Sequence, residues 1–564
     1  MLFPILALVF CIFLGIIRPN IGHKWFRSIG SQFAQLARHK TFSIILIGLL
    51  AFTGEAVFCM ITYIPVPGVH DEFAYLLTAD TFAHGRLTNE THPMWEHFQS
   101  YHIFHQPTYQ GKYPPGQGIV LAAGQVLFGL PIVGVWLSIA AAVSAITWML
   151  YGWLPPRWAL LGGFLTLIKP VVFLIWGQNY WGGAVAMTGG ALIFGALPRL
   201  QNSFRSRDAI LMGLGLVILA NSRPYEGFVA SLPVAVLLFV SLVRTGRHSM
   251  LDKIKSVILP ITLILVTAVA WMGYYNFRVT GNALTMPYQV WANTSGKSLS
   301  NTLFFSEQLQ TKGFKPKKDT VPINPLQVDE FNSNQNLPVP KEYGKIPVSH
   351  KCIRLFMSLL GPLLALPLLA AVPILFSQKL RLATVASGLV LAAVLLQNTS
   401  AHAHYLAPVF GLLILIATQG LRKLRLFRIR NRAIGRFLVR VIPLIALMSF
   451  SSYCLDAWLD GPDSSKHRWN FWRARIIERL EKGPDQHLII VRYHANHLWH
   501  YEWVYNGAEI DSEKVIWARD LGKTRNLQLL EYFKHRNIWL IEPDAKKVRP
   551  IPIRNLKDLG YNET

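Results

Sequence analysis

The amino-acid sequence predicts an all-α, polytopic membrane protein closed by a small C-terminal α/β domain. Three observations carry that prediction. The 564 residues are 52% apolar and only 15% charged, with a positive mean hydropathy, whereas soluble domains carry about 25% charge. Apolar runs approaching the roughly 20 residues needed to cross a hydrocarbon layer recur along the chain as far as residue 457. The net charge of +25 falls mostly in short connectors between those runs. That is the positive-inside pattern of membrane topology rather than a nucleic-acid footprint, so nucleic acid is excluded as a partner and membrane lipid is the expected surrounding.

Taken in order, the runs are 1–17, 42–64, 117–130, 131–150, 157–175, 182–198, 209–221, 227–243, 256–274, 353–376, 384–398, 408–420 and 441–457. Residues 1–17 lack a basic leader and a small-residue cleavage site, and read as a retained membrane helix. The connectors 18–40, 199–208, 244–255, 377–383 and 421–440 are basic; the last holds eight Arg or Lys and no acid. Fixing these inside the cell places 65–116, 222–226, 275–352, 399–407 and 458–564 outside. Four runs separate the first outside loop from the 199–208 connector, where an odd number is required. One of the pair around "FGLPIVG" is therefore read as a half-helix or an interfacial segment, and about 12 transmembrane helices are expected. The organisation is then an N-terminal helix and basic segment (1–41), a transmembrane domain (42–457) with outer loops 65–116 and 275–352, and a soluble tail (458–564). In the tail "HLIIVRY", "KVIWARD" and "NIWLIEP" read as strands and "NLQLLEYFKHR" as a helix. The four cysteines are scattered and form neither a zinc motif nor a disulfide framework.

The chemistry gathers outside. In "PVPGVHDEFAYLLTAD" (65–80), Pro65, Pro67 and Gly68 end a membrane helix and turn the chain. Asp71 is placed to cap the next helix, Glu72 suits its positive end, and Gly85 stops it. Phe73, Leu76 and Leu77 share a face suited to lying on the outer leaflet, with Tyr75 on another stripe. Asp71 and Glu72 are either caps alone, or one of them is a general base or a ligand for a divalent metal at the membrane boundary. The same loop ends in "FHQPTYQGKYPPGQG", where Lys112 and Tyr113 precede two prolines. Lys112 there either snorkels to the interface or pairs with a phosphate. His70, His102 and His105 are further candidates in this loop. In "NSRPYEG" (221–227) Arg223 and Glu226 sit where charge is expensive, as a structural pair or as site residues. "SAHAHYLAP" (400–408) places His402, His404 and Tyr405 at an outer helix start. The glycines of "GQNYWGGAVAMTGGALIFGALPRL" (177–200) read as close helix packing.

A membrane helix, an outer loop opening on Asp-Glu and a helix, then "KYPPGQG" at the next span, resembles the glycosyltransferase C fold. The chain is similar over residues 42–457 to the protein O-mannosyltransferase superfamily and to the bacterial enzyme that adds aminoarabinose to lipid A. "NSRPYEG" and "HAHYLAPV" also look like uncharacterised members of that group. The resemblance implies an inverting transferase in a bacterial inner membrane, working on its periplasmic side with a polyprenyl-phosphate-linked sugar and a lipid, polysaccharide or protein acceptor. It implies that Asp71 or Glu72 is the base or holds a divalent metal. It further implies that Lys112 or Tyr113 contacts the donor phosphate, with Arg223 and Tyr405 as further phosphate contacts. The chain departs from the mannosyltransferases in lacking their inserted domain in 275–352 and in carrying its tail, which leaves the acceptor open. A transporter or lipid flippase would instead use Glu55, Lys169 and Arg223 as pathway charges, and a non-catalytic envelope-assembly component would dock through its tail. No inverted repeat accompanies the transporter reading.

Overall fold

Helices form along the apolar runs, and proline and glycine decide where they break. The computed structural model describes residues 2–18, 20–244, 249–294, 347–397, 401–429, 432–461, 468–494, 497–498, 501–546, 548–554 and 556–559. Most of the 275–352 loop lies outside the described residues.

Six helices are long and apolar enough to cross a membrane: Lys40–Ile61, Pro131–Trp153, Pro224–Val243, Met250–Thr280, Ala403–Leu424 and Ile434–Asp460. A seventh candidate, Val348–Leu359 with Pro362–Ile374, is bent by 91°. The other apolar runs give shorter helices among the described residues, so about 12 full spans are not all present as long helices. The run 117–130 shows why. Its helix, Gly116–Phe128, ends at Gly129 with φ +74. At 13 residues it is about 20 Å long, short of the roughly 30 Å hydrocarbon layer. Its length suits the half-helix expected in the pair around "FGLPIVG". Likewise Pro170 breaks run 157–175 into the helix Pro156–Leu167 and a wider turn, Val171–Trp176.

Pro131–Trp153 lies at the centre, packed against Lys40–Ile61, Gly116–Phe128 and Ala184–Ser203. The glycines of 177–200 do allow close packing: a Cβ on Gly190 would stand 1.8 Å from the Pro408 carbonyl oxygen. Outward faces stay apolar and exposed, as at Phe239 (65%) and Val269 (68%). With polar solvent that exposure would be costly over so many residues; the chain is a multi-pass membrane protein.

The tail forms the expected strands and helix. His487–Val491 lies between Val515–Arg519 and Asn537–Ile541, parallel to both, and Ile551–Ile553 adds an antiparallel edge. Lys523–Tyr532 supplies the crossover helix. The tail does not stand apart. Leu488, Trp503, Val504 and Trp517 share one core with Phe73, Ala74 and Leu77 of the helix His70–Ala83. This corrects the reading of that helix as a surface helix on the outer leaflet: its apolar face is buried against the tail, not against lipid.

Candidate active site

The site is built from the start of the helix His70–Ala83. Asp71 is not its cap. Val69, in extended conformation, precedes the first turn, and Glu72 reaches back to accept the N–H groups of Gly68 (2.6 Å) and Val69 (3.2 Å). Its other oxygen accepts the Tyr180 N–H at 2.8 Å. Glu72 is buried and does not line the cavity described below, which Asp71 does. Burial pushes the Glu72 carboxyl up to about 7, against the lowering effect of the three N–H groups. Glu72→Ala would leave those donors buried and unpaired at roughly 1–3 kcal/mol each. A loss of about 3 kcal/mol or more is expected in equilibrium unfolding, several times that of Asp71→Ala.

Asp71 faces the other way, into a cavity of about 620 Å³. The Tyr113 hydroxyl donates to its Oδ1. His102 Nε2 lies 3.7 Å from the same oxygen and His70 Nε2 3.9 Å from Oδ2. The two imidazoles stack at 4.3 Å. Burial opposes the charge on Asp71, but His70, Lys112 and the Tyr113 hydroxyl outweigh it and hold the carboxyl below its usual value. A short hairpin, Ile103–Phe104 with Gln110–Gly111, brings Lys112 back so that its N–H donates to the His102 carbonyl at 2.9 Å. His102 has φ +64, a left-handed conformation uncommon outside glycine, and such positions collect at functional sites.

Lys112 is buried, with Nζ 3.4 Å from the centre of the Trp291 ring and 5.2 Å from that of Tyr288. Both aromatics come from the short helix Pro287–Thr294. Sequence reading passed over them; "PYQVW" in a polar loop was the available signal. Across the cavity stand Arg223, Glu226 and Tyr405. Arg223 lies 5.1 Å from the Tyr405 ring centre, and among the described residues it forms no ion pair with Glu226. Tyr75 lines the same cavity and stacks on Tyr113 at 4.5 Å. The cavity lies between the start of Pro224–Val243 and the end of Met250–Thr280, where Phe228 and Met272 flank it.

Other candidates fall elsewhere. His105 is buried against Tyr109, Nε2 3.0 Å from the Phe98 carbonyl oxygen, and burial takes its pKa down to about 3. It is a neutral packing residue outside the cavity. His402 and His404 stack on each other beside Trp181, also outside it. Glu55 receives a hydrogen bond from Gln178 at 2.7 Å, and Lys169 donates to the Leu360 carbonyl. Lys169 lines a separate apolar cavity of about 210 Å³. Glu55, Lys169 and Arg223 thus share neither cavity, contrary to what a common pathway needs.

His70, Asp71 and His102 each offer a ligand atom within 4.8 Å of the others. Two imidazoles and a carboxylate suit zinc or another first-row metal better than magnesium or calcium, which prefer oxygen donors. The set differs from the Asp71–Glu72 pair expected to hold a metal.

The helical membrane bundle has the glycosyltransferase C fold. Among solved structures it is similar to ArnT from Cupriavidus metallidurans bound to undecaprenyl phosphate, with a TM-score of 0.52 and 12% identity over 88% of this chain and 92% of that one. The apo form of the same protein gives 0.50, at the same identity and coverage. A looser match, 0.47 at 11% identity over 89% and 68% of the two chains, is an oligosaccharyltransferase of Archaeoglobus fulgidus tethered with an acceptor peptide. No protein-family profile and no curated protein matches the chain in sequence.

Proposed function

We propose that this protein is a glycosyltransferase of a bacterial inner membrane that moves a hexosyl or pentosyl group from a polyprenyl-phosphate donor to an acceptor hydroxyl on the periplasmic side. The observation that carries the reading is the cavity that brings Asp71, bonded to Tyr113, together with two cations, Lys112 and Arg223, the latter with Glu226 beside it in the chain, between the helices Pro224–Val243 and Met250–Thr280. ArnT, similar in fold, has been solved with undecaprenyl phosphate bound.

Each group then has a task. A donor whose isoprenoid tail lies between Pro224–Val243 and Met250–Thr280 presents its phosphate to Arg223 and Lys112. These stabilise the charge that develops as the sugar–phosphate bond breaks, and the Tyr405 hydroxyl adds a donor beside Arg223. Asp71 takes the proton of the attacking hydroxyl. Tyr113, also a candidate for the phosphate, is occupied at Asp71 and orients the base. Attack on the face opposite the phosphate inverts the anomeric centre. A divalent metal would be held by His70, Asp71 and His102, and would supply Lewis-acid stabilisation of the leaving phosphate. The tail is read as a periplasmic α/β domain that braces the first outer loop.

Lys112→Ala and Arg223→Ala each remove one charge-assisted contact, worth about 1.5–3 kcal/mol. Donor binding measured with a radiolabelled polyprenyl-phosphate sugar should weaken about 10- to 100-fold for each, by more than bound-state turnover slows. Unchanged affinity in both variants would remove the phosphate from this cavity.

A further inference from the structure

At the opposite end of the bundle the segments 18–40 and 421–440 carry cations and no acids. The helix Lys40–Ile61 begins there and ends four residues before Pro65, on the side that leads to Asp71. The chain holds no acidic residue before Glu55, and none in 421–440. The helix His23–Arg38 packs Phe33, Leu36 and Ala37 inward and leaves Trp25 71% and Ile29 47% exposed. That is the pattern of a helix lying in an interface, with an aromatic anchor at headgroup depth.

Beside it, Ile434–Asp460 starts with Arg436 and Arg440 on one stripe, four residues apart. Arg440 stands 5.8 Å from the ring centre of Phe26, and the charges that bear on it are two more guanidiniums, Arg436 and Arg27. Arg432 fixes the neighbourhood by donating to the Ile16 carbonyl at 2.5 Å, which ties the end of Leu2–Ile17 to this corner. Among the described residues no carboxylate pairs with Arg27, Arg436 or Arg440. Three guanidiniums gathered without a counter-charge repel one another, and an anion with several oxygens relieves that repulsion by forked hydrogen bonds.

We propose that this corner is a binding site for an anionic phospholipid of the leaflet opposite the active site. Its phosphate would sit among Arg27, Arg436 and Arg440, with its glycerol and acyl region against Trp25 and Ile29. The exposed apolar stripe favours a lipid over a nucleic acid, which would leave Trp25 and Ile29 uncovered.

The test titrates phosphatidylglycerol or phosphatidylcholine into the delipidated full chain and counts bound lipid by native mass spectrometry. Phosphatidylglycerol should bind in preference, and each arginine near the surface should contribute about fivefold. Arg436→Gln, an exposed position, should therefore weaken it about fivefold, and Arg27→Gln/Arg436→Gln/Arg440→Gln about a hundredfold. The corresponding triple lysine variant should stay within about fivefold of the parent, and phosphatidylcholine binding should not change in any of them. Equal binding of the two lipids by the parent would overturn the proposal. So would phosphatidylglycerol binding that is unchanged in both glutamine variants, or a single-stranded oligonucleotide that binds more tightly and displaces the lipid.

Discussion

Asp71→Asn is expected to cut turnover about 10²- to 10⁴-fold, the usual contribution of a general base, while donor affinity moves by no more than a few-fold. The substitution keeps shape and keeps an oxygen for the Tyr113 hydroxyl, so the loss is of basicity and not of the loop. The pH profile separates Asp71 from its neighbour. Burial works against charge on Asp71, but His70, Lys112 and Tyr113 hold its carboxyl below the ordinary value. A base of that kind stays ionised through the neutral range, and activity falls only as the pH drops through the acid end of the carboxylate range. Glu72, raised by burial to about 7, would instead give a rate that falls as the pH drops below neutrality. Single-turnover rates from pH 4 to 8 with a lipid-linked sugar decide between them. Wild-type turnover in the asparagine variant, or an acid limb centred near 7 that Glu72→Gln abolishes, would move the base from Asp71 to Glu72.

The division between these two carboxylates marks where sequence reading stopped. Hydropathy located the helices because crossing lipid imposes one period and one length on each. The strands of the tail were legible because short runs such as "HLIIV" have no other stable use between polar turns. Adjacent residues on a helix point about 100° apart, so the two carboxylates of the Asp71–Glu72 dipeptide need not face the same cavity, and here only Asp71 lines it. Which one depended on the Tyr180 N–H, more than a hundred residues away. The same holds for Lys112: its position before Pro-Pro was visible, but the aromatic ring over it comes from Trp291 in a different loop. Arg223 was identified because charge between apolar helices is expensive. The pairing with Glu226 suggested by their spacing is not what the helix start produces.

The remaining large effect belongs to a residue remote in sequence from the cavity. Arg519→Met is expected to destabilise the outer half of the protein by about 3–5 kcal/mol, the cost of breaking a buried ion pair by removing one partner. Arg519 and Glu502 are both buried and bonded to each other, and the Tyr493 hydroxyl donates to Glu502 at 2.5 Å. Arg519 Nε also donates to the Gln99 carbonyl at 2.7 Å, and His97 Nδ1 meets the Arg519 carbonyl at 2.9 Å. Gln99 lies three residues before His102, so the tail holds the loop that sets the imidazole beside Asp71. The same interface joins Asp80 to the Ala508 N–H at 2.7 Å and the Tyr109 hydroxyl to the Asn506 carbonyl at 2.8 Å. Thermal unfolding followed by tryptophan fluorescence, together with turnover, distinguishes a brace from a docking module. Pairing Arg519→Met with Glu502→Leu should recover most of the stability, because an apolar pair replaces a buried ionic one at little cost. It should not recover turnover, because the Gln99 carbonyl still lacks its donor and His102 is released. A single variant with parental melting and parental turnover would mean that the tail leans on the first outer loop without positioning it. A double variant that regains both would assign Arg519 to stability alone.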